Sequence, residues 1–366
     1  MSQTTSAPRW ISGIEPPKEL LGASGTQMLE LECRQQPERL REIISAYSHY
    51  EEVRAELKAL RRLAEANGPV MFIGMGGSLC SAISGSVMLQ THGRLSFSVD
   101  AGEWLHYGSS VWQDAAVSIL LTTSGESAEL VELCKGMGGE QLGLICNNAA
   151  STCWKLAQHR LPILAGPEYG NATKTYTNAA AAAIILASEM LSYRWEEDAM
   201  RALEVFEGSL DRIFGMREQL EEFWRGSVNT EVIGRGSAYG AAVMGALTIR
   251  EMSGHRAAAH TGAGFKHGPN LDVDASHLAV IFAQGRTAEP GVKLAEQCNR
   301  RGGKVILVSS EDRAHSERLF PVKIDAVPEP WESVTSIAVA QALTLGIIEK
   351  TGCRLPPRFQ YGAMEQ

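Results

Sequence analysis

The sequence lacks the features that would place this protein in a membrane or in an oxidising compartment. No run of about 18 or more apolar residues occurs in the 366-residue chain, so we expect no membrane span. The segment Met1 to Trp10 has no apolar stretch followed by a small-residue cleavage site, so we expect no secretory signal and a cytoplasmic location. The seven cysteines form no C-x-x-C pair. We therefore expect reduced thiols, with neither a disulfide framework nor a metal site.

Excess positive charge is also missing. The chain carries 34 Lys and Arg against 42 Asp and Glu, a formal net charge of −8. Nucleic-acid-binding proteins usually carry a basic patch or stripe, so we expect no nucleic-acid partner. A small anion remains compatible with this charge, because backbone N–H groups and a helix N-terminus can bind it locally.

The chain has enough apolar residues to form the hydrophobic cores of two domains, since it is 44% hydrophobic. Short apolar runs alternate with segments of helical length, which is typical of a parallel sheet. The predicted strands and helices of the first half are 70–74, 78–90, 96–101, 117–122, 142–147, 161–165 and 178–193. Those of the second half are 232–234, 278–283, 305–309, 322–326 and 333–350.

The two halves repeat each other at a nearly constant distance. Gly76 and Gly236 are 160 residues apart, as are Gly125 and Gly285, and Glu168 and Glu329 are 161 apart. This register predicts two doubly wound α/β domains with parallel sheets, related by duplication. We place a helical leader at 1–50, beginning as a helix near Thr26 and lying over the first domain. The remaining predicted bounds are 51–195 for the first domain, 196–226 for a linker helix packed between the domains, 227–352 for the second domain and 353–366 for a tail.

Ligands of open parallel sheets bind beyond the carboxyl ends of the strands, which directs attention to the loops there. Gly74 to Ser78 follows the first strand, and its glycines allow close approach of backbone to a ligand. A tight turn with a helix cap explains the same residues. A dinucleotide loop would have glycine in place of Leu79, and a triphosphate loop would end in Gly-Lys-Ser/Thr, so we expect no nucleotide cofactor.

Four hydroxyl residues follow the third strand. Thr122, Thr123, Ser124 and Ser127 precede a predicted helix over 128–135, where hydroxyls and free N–H groups suit phosphate oxygens. Helix capping by Ser124 or Ser127 is the alternative. The second copy carries Phe282, Ala283 and Gln284 in place of the first three hydroxyl residues, which favours phosphate binding by the first copy and a different role for the second.

At these residues the sequence resembles the tandem sugar-isomerase (SIS) domain enzymes that act on phosphosugars, whose best-known member is the isomerase half of glucosamine-6-phosphate synthase. The resemblance covers most of the chain. It runs from Met28-Leu29-Glu30 with Gln36-Pro37, through Gly74 to Ser78, Thr122 to Ser127, Ala172 to Thr175 and Gly234 to Pro269, to Pro357-Arg358. It implies two flavodoxin-like three-layer sandwiches.

The resemblance also implies roles for particular residues. Sugar and phosphate would be bound by Ser78, Thr122, Thr123, Ser124, Ser127 and the backbone at Ala172-Thr173. Glu251 would move a proton between C1 and C2, and His267 would assist ring opening from the neighbouring subunit of a homodimer. Without the resemblance, we would favour Glu251 as an exposed helix carboxylate paired with Arg250 or Arg256, and His267 as a loop imidazole bonded to backbone. His255 and His260 are ordinary residues or substrate contacts.

The sequence departs from the family at two lysines, which are replaced by Thr248 and, in the tail, by Gly362. No glutaminase domain is expected, so ammonia would not come from glutamine. Three functions remain open: isomerisation of a sugar phosphate or amino-sugar phosphate, release of an amine by a fructosamine-6-phosphate-type deglycase or an amino-sugar-phosphate deaminase, and non-catalytic sensing of a phosphosugar. The sequence does not identify the sugar.

Overall fold

A computed structural model describes residues 24–108, 110–137, 141–168 and 170–354. The first part runs α1 (Gly25–His49), α2 (Glu51–Ala64), β1 (Val70–Gly74), α3 (Gly77–Thr91), β2 (Ser96–Asp100), α4 (Ala101–Tyr107), β3 (Val117–Thr122), α5 (Ala128–Gly136), β4 (Leu142–Cys146), α6 (Thr152–Leu156), β5 (His159–Pro162) and α7 (Lys174–Met190). The second runs α8 (Glu196–Gly215), α9 (Arg217–Trp224), β6 (Asn229–Gly234), α10 (Ala238–Ser253), β7 (Ala257–Thr261), α11 (Gly262–Lys266), β8 (His277–Phe282), α12 (Ala288–Arg300), β9 (Lys304–Ser309), β10 (Leu319–Lys323) and α13 (Glu332–Thr351).

Two five-stranded parallel sheets confirm the duplicated α/β fold. The first has the strand order β2-β1-β3-β4-β5 and the second β7-β6-β8-β9-β10, which is the same order once the second set is renumbered. Helices cover both faces of each sheet, and the buried central strands consist almost wholly of apolar residues, as expected of doubly covered parallel sheets. The predicted domain bounds themselves stay a prediction.

Two helices rich in small residues, α3 and α10, join the repeats. Their axes run antiparallel, since Gly77 lies near Met244 while Gly236 lies near Val87. Contact is closest at Gly240, where an added Cβ would lie 2.5 Å from the carbonyl oxygen of Cys80. Because α10 points its C-terminal end toward the start of α3, a residue late in α10 reaches the carboxyl edge of the first sheet.

Several elements differ from the sequence-based prediction. The strand expected at 161–165 is His159–Pro162, because Ile163 and Ala165 remain buried after the chain has left the sheet. The strand expected at 322–326 is Leu319–Lys323. Strand β7 was not predicted, since its three alanines carry little strand propensity and only its pairing with β6 specifies it.

The leader and linker also pack differently from expectation. Helix α1 contacts α8 and α13 as well as α7, and the Gln36 amide donates a 2.9 Å hydrogen bond to Gln341 Oε1 on α13. The leader therefore joins both repeats rather than covering the first alone. The linker is two helices, α8 and α9, both packed on α13. Residues 1–23 of the leader and 355–366 of the tail, including Gly362, lie outside the described residues.

The described residues contain no helix long and apolar enough to cross a bilayer. All seven cysteines are free thiols, and all but Cys353 are buried. The expectation of reduced thiols is therefore consistent with the packing.

We predict that Gly240→Ala lowers the free energy of unfolding by about 1–3 kcal/mol, because a methyl group there collides with the backbone of α3. Gly208→Ala is the matched control: this glycine lies inside α8 with nothing within 4 Å of an added Cβ. The control should stabilise by about 0.5–1 kcal/mol, since alanine is the better helix former. Urea unfolding measures both variants, and equal effects would contradict the close α3–α10 contact.

Candidate active site

A cavity of about 370 Å³ lies beyond the carboxyl ends of β1 and β3 in the first repeat. Four parts of the chain supply most of its lining: the turn Met75–Ser78, the residues Thr122–Ser124 with Ser127, the segment Gly170–Ala172, and one face of α10. The cavity is within the range usual for small-molecule sites. Every sequence-predicted site residue except Thr173 and His267 lines it, namely Ser78, Thr122, Thr123, Ser124, Ser127, Ala172 and Glu251.

The hydroxyls after β3 are only partly engaged by the protein. Thr122 Oγ1 accepts a 3.0 Å hydrogen bond from the Gly125 N–H, and Ser124 Oγ accepts one of 3.2 Å from the Glu126 N–H. Gly125 has φ 68°, a backbone conformation that favours glycine. Ser127 occupies the N-cap position of α5 without a capping hydrogen bond from its side chain. Within the described chain, Thr123 and Ser127 hydroxyls therefore remain available to a ligand.

Three helix N-termini converge on the cavity. Helices α3, α5 and α7 begin at Gly77, Ala128 and Lys174, each just after a lining segment. The unpaired N–H groups and the dipole of a helix start favour a bound anion. No lysine or arginine is among the described lining residues. A phosphate here would be held by N–H groups and hydroxyls rather than by side-chain cations.

The segment before α7 is anchored by one buried carboxylate. Glu168 Oε1 accepts hydrogen bonds from the N–H groups of Thr173 and Lys174 at 3.0 and 2.7 Å, and its Oε2 accepts one from the Thr175 hydroxyl. This carboxylate satisfies donors at the start of α7. It explains why the helix begins at Lys174 and not at the predicted Asn178. It also fixes Gly170 to Ala172 against the cavity.

Thr173 does not line the cavity. Its hydroxyl donates a 2.6 Å hydrogen bond to Glu168 Oε1, the same atom that accepts from its N–H. Both donors are therefore occupied, and Thr173 supports the wall rather than facing a ligand. Of the predicted backbone pair, Ala172 alone reaches the cavity.

Glu251 reaches the first repeat's cavity from α10 of the second repeat. Asn171 Nδ2 donates a hydrogen bond to Glu251 Oε2. Asn171 Oδ1 accepts a 2.8 Å hydrogen bond from the Thr248 hydroxyl. Glu251 therefore has an amide partner from the opposite wall, in place of the pairing with Arg250 or Arg256 that remained open from the sequence.

The surroundings of Glu251 favour its neutral form. Burial raises the pKa of the Glu251 carboxyl above its ordinary value, and the hydrogen bond from Asn171 acts in the opposite direction. Glu251 is nonetheless exposed in the single chain, so water weakens this effect. A carboxyl whose pKa is raised is a stronger base once ionised, which suits it to proton transfer near neutral pH.

His267 lies apart from this cavity. It follows α11 and is exposed, and its backbone N–H donates a 3.2 Å hydrogen bond to the Gly264 carbonyl oxygen. His260 bonds Glu231 at 2.8 Å and His255 packs edge-on against Trp224. None of the three histidines is among the described lining residues.

Sequence reasoning missed part of the lining. Asn171 and the α10 residues Met244 and Leu247 were not singled out, although both α10 residues face the cavity. Residues 244, 247, 248 and 251 follow the i, i+3, i+4, i+7 spacing of one helix face. Given Glu251, this spacing could have identified them.

The corresponding edge of the second sheet is filled by side chains. Glu332 Oε2 accepts a 2.8 Å hydrogen bond from the Ser237 hydroxyl, and Glu329 accepts one of 2.7 Å from the Arg286 N–H. Burial raises the pKa of Glu332 to about 7. Phe282, Ala283 and Gln284 stand here in place of Thr122, Thr123 and Ser124, and the carboxylates of Glu329 and Glu332 lie beside Gly285. The expectation that the two copies have different roles stays a prediction.

Comparison with known proteins agrees with this arrangement. The family model described as SIS domain matches residues 62–188 and 229–346, which is more than half of the chain. The glutamine–fructose-6-phosphate aminotransferase [isomerizing] of Pyrococcus horikoshii is 29% identical over 289 residues, covering 75% of this chain and 48% of that protein. The chain thus spans about half the length of that relative.

Solved structures of low sequence identity share the fold. The C-terminal domain of glucosamine-fructose-6-phosphate aminotransferase from Francisella tularensis superposes with a TM-score of 0.80 at 20% identity, over 90% of this chain and 97% of that one. Tagatose-6-phosphate ketose/aldose isomerase from Escherichia coli gives 0.70 at 18% identity, over 93% and 96%. These likenesses establish the two-sandwich architecture.

We predict that Glu168→Gln destabilises the protein by about 1.5–3 kcal/mol, because hydrogen bonds to a charged acceptor at the start of α7 are weakened or lost. Glu65→Gln is the control, since Glu65 is exposed. Thermal unfolding measures both variants. If Glu168→Gln is no less stable than the control, the carboxylate does not anchor the cavity wall.

Proposed function

The chain belongs to the SIS domain family, and from that premise we propose that it binds a sugar phosphate in the first repeat's cavity and transfers a proton between adjacent sugar carbons with Glu251. The observation that carries this proposal is the joint lining of one cavity by an anion-binding loop and a carboxylate of raised pKa. A titratable group of shifted pKa that lines a cavity together with groups able to bind a ligand is typical of an active site.

The two ends of the cavity suit the two ends of such a substrate. The phosphate fits beside Thr123, Ser124 and Ser127, where hydroxyls and helix N-termini favour negative charge. The carbonyl end fits beside Glu251, away from that loop. Met244 and Leu247 supply apolar wall on the α10 side, against which the sugar carbons can pack.

Aldose–ketose isomerisation needs one base that acts twice. Ionised Glu251 takes the proton from the carbon next to the carbonyl, so that the C–H electron pair forms the C=C bond of an enediolate and the carbonyl π pair moves onto oxygen. The protonated carboxyl then returns the proton to the former carbonyl carbon, while the proton of the neighbouring hydroxyl passes to the former carbonyl oxygen; the new carbonyl forms and the base is regenerated. We propose that His267 assists ring opening from the second subunit of a homodimer, which agrees with its exposed position apart from the cavity of its own chain.

Amine release from a phosphorylated sugar–amine adduct is the second candidate. The described lining contains a carboxylate and neutral polar groups but no lysine, and Thr248 stands where the resembled family has one. A carboxylate alone can move the proton that converts such an adduct to a form that water hydrolyses. The fructosamine-6-phosphate-type deglycase and the amino-sugar-phosphate deaminase both fall in this class.

The curated relative's name describes isomerisation coupled to glutamine. We carry over the phosphosugar substrate class alone, because this chain spans about half of that protein. A sugar phosphate partner, absence of a nucleic-acid partner and a cytoplasmic location stay proposals.

We predict that Glu251→Gln preserves sugar-phosphate binding and reduces turnover by about 10²- to 10⁴-fold, since the amide keeps the shape but cannot accept the proton. The assay is solvent deuterium incorporation at the carbon next to the carbonyl, combined with detection of ketose, aldose and released amine across a panel of sugar phosphates and their amine adducts. Arg250→Gln on the same helix, outside the cavity lining, is the control and should keep wild-type exchange.

The outcomes of this assay distinguish between the candidate functions. Isomer formation supports isomerisation, and amine release supports the second candidate. If wild-type protein binds a sugar phosphate without exchanging any carbon-bound proton, the phosphosugar sensor replaces the enzyme. Exchange by Glu251→Gln at the wild-type rate would exclude Glu251 as the base.

We predict that the double variant Thr123→Ala with Ser124→Ala weakens binding of a sugar phosphate far more than binding of the same sugar without phosphate, because the lost hydroxyls face the phosphate. Isothermal titration with both ligands measures the difference. Equal weakening of the two would place the phosphate elsewhere in the cavity.

A further inference from the structure

Three side chains form a hydrogen-bonded series that ends at the proposed base. The Thr248 hydroxyl lies 2.8 Å from Asn171 Oδ1 and 2.9 Å from the Met244 carbonyl oxygen. Asn171 Nδ2 in turn donates to Glu251 Oε2. Thr248 and Asn171 are 0% and 2% exposed, so water has little access to compete for these groups.

The series fixes which way the Asn171 amide points. An ionised carboxylate offers only acceptors, so it selects the Nδ2 side of the amide. That choice turns Oδ1 toward Thr248, whose hydroxyl proton it accepts. The reverse orientation would place Oδ1 against the negative carboxylate and leave it without a donor, which costs free energy at a buried site.

We propose that Asn171 is a positioning residue for Glu251, holding Oε2 and leaving Oε1 as the oxygen that takes the substrate proton, while Thr248 fixes the orientation of the amide. The assignment of Oε1 as the base rests on the proposed function. The hydrogen bonds and their effect on the carboxylate do not, and they can be measured without a substrate.

The electrostatic role of Asn171 has a definite sign. Its hydrogen bond favours ionised Glu251, whereas burial favours the protonated form. Removing the bond therefore raises the pKa of Glu251. At a pH below that pKa, each unit of rise reduces the ionised fraction about tenfold.

Other titratable groups near α10 do not alter the direction of this pKa shift. Cys80 interacts electrostatically with Glu251 from α3, and burial raises the pKa of its thiol to about 12. Tyr176 lines the cavity from α7, and burial raises the pKa of its phenol. Both are neutral near neutral pH. His260 on β7 is hydrogen-bonded to Glu231. Glu332 on α13 is hydrogen-bonded to Ser237.

The first test titrates Glu251 in the substrate-free protein by NMR of ¹³C-labelled glutamate carboxyls, with its signal assigned from Glu251→Gln. We expect Asn171→Ala to raise the pKa of Glu251, and Asn171→Asp to raise it further, because two adjacent carboxyls resist simultaneous ionisation. Thr248→Val should raise it by a smaller amount, and Thr248→Ser, which keeps the hydroxyl, should retain the wild-type pKa.

Thr344→Val is the matched control for the loss of a buried hydroxyl. Thr344 is fully buried in α13, and its hydroxyl bonds the Ala340 carbonyl oxygen at 2.8 Å, as Thr248 bonds that of Met244. Thr344 does not belong to the hydrogen-bonded series that ends at Glu251. Its substitution should alter stability to a similar degree as Thr248→Val and leave the pKa of Glu251 unchanged.

The second test is the pH profile of kcat/KM, which reports ionisations of the free enzyme. The acid limb of Asn171→Ala should move to higher pH by the same interval as the directly measured pKa. If Asn171→Ala leaves the pKa of Glu251 unchanged, or if Thr344→Val shifts it as much as Thr248→Val, the positioning role is wrong. If the pKa values shift as expected but wild-type protein turns over no phosphosugar, the proposed function fails and the hydrogen-bonded series stands.

Discussion

The close antiparallel contact between α3 and α10 is the constraint on which the site depends. At Gly240 the helix α10 leaves no room for a side chain against the carbonyl of Cys80. This separation brings the C-terminal part of α10 to the N-terminal end of α3, where the first sheet opens. The second repeat can thereby contribute Glu251 to a cavity whose lining hydroxyl groups all belong to the first.

Duplication creates two such edges, and the residues at the two edges have diverged. Thr91, which stands 160 residues before Glu251, occupies the end of α3 and offers a hydroxyl where α10 offers a carboxylate. In the second repeat, Phe282, Ala283 and Gln284 replace Thr122, Thr123 and Ser124, and Glu329 and Glu332 lie at that edge bonded to Arg286 and Ser237. In the proposed function, phosphate binding and proton transfer therefore come from different repeats and meet in one cavity.

Much of this arrangement is predictable from the sequence, for identifiable reasons. The apolar runs of β1 and β3 and the constant 160-residue register determine the duplicated parallel sheets, because buried parallel strands are nearly continuous in hydrophobicity. Strand β7 escapes prediction because its alanines acquire strand geometry only from pairing with β6. The start of α7 depends on Glu168, a tertiary contact within a polar segment that has no helical pattern of its own.

The candidate site also has a part that the sequence predicts and a part that it does not. The hydroxyl cluster at Thr122 to Ser127 is visible because four polar residues follow a buried strand. The partnership of Asn171 with Glu251 is not, since it joins residues 80 positions apart across two repeats and no local pattern marks it. His267 was predicted from the resemblance alone; it is exposed and apart from the cavity, so its proposed role would require a second subunit.

The most direct measurement is a crystal structure with the phosphate of an open-chain hexitol, which carries the phosphate but has no carbonyl and cannot react. We expect the phosphate within hydrogen-bonding distance of Thr123 and Ser124, and the far end of the carbon chain beside Glu251 Oε1 with Oε2 still held by Asn171. A ligand seated at the second sheet's edge, or one in the first cavity with its phosphate beside Glu251, would contradict it.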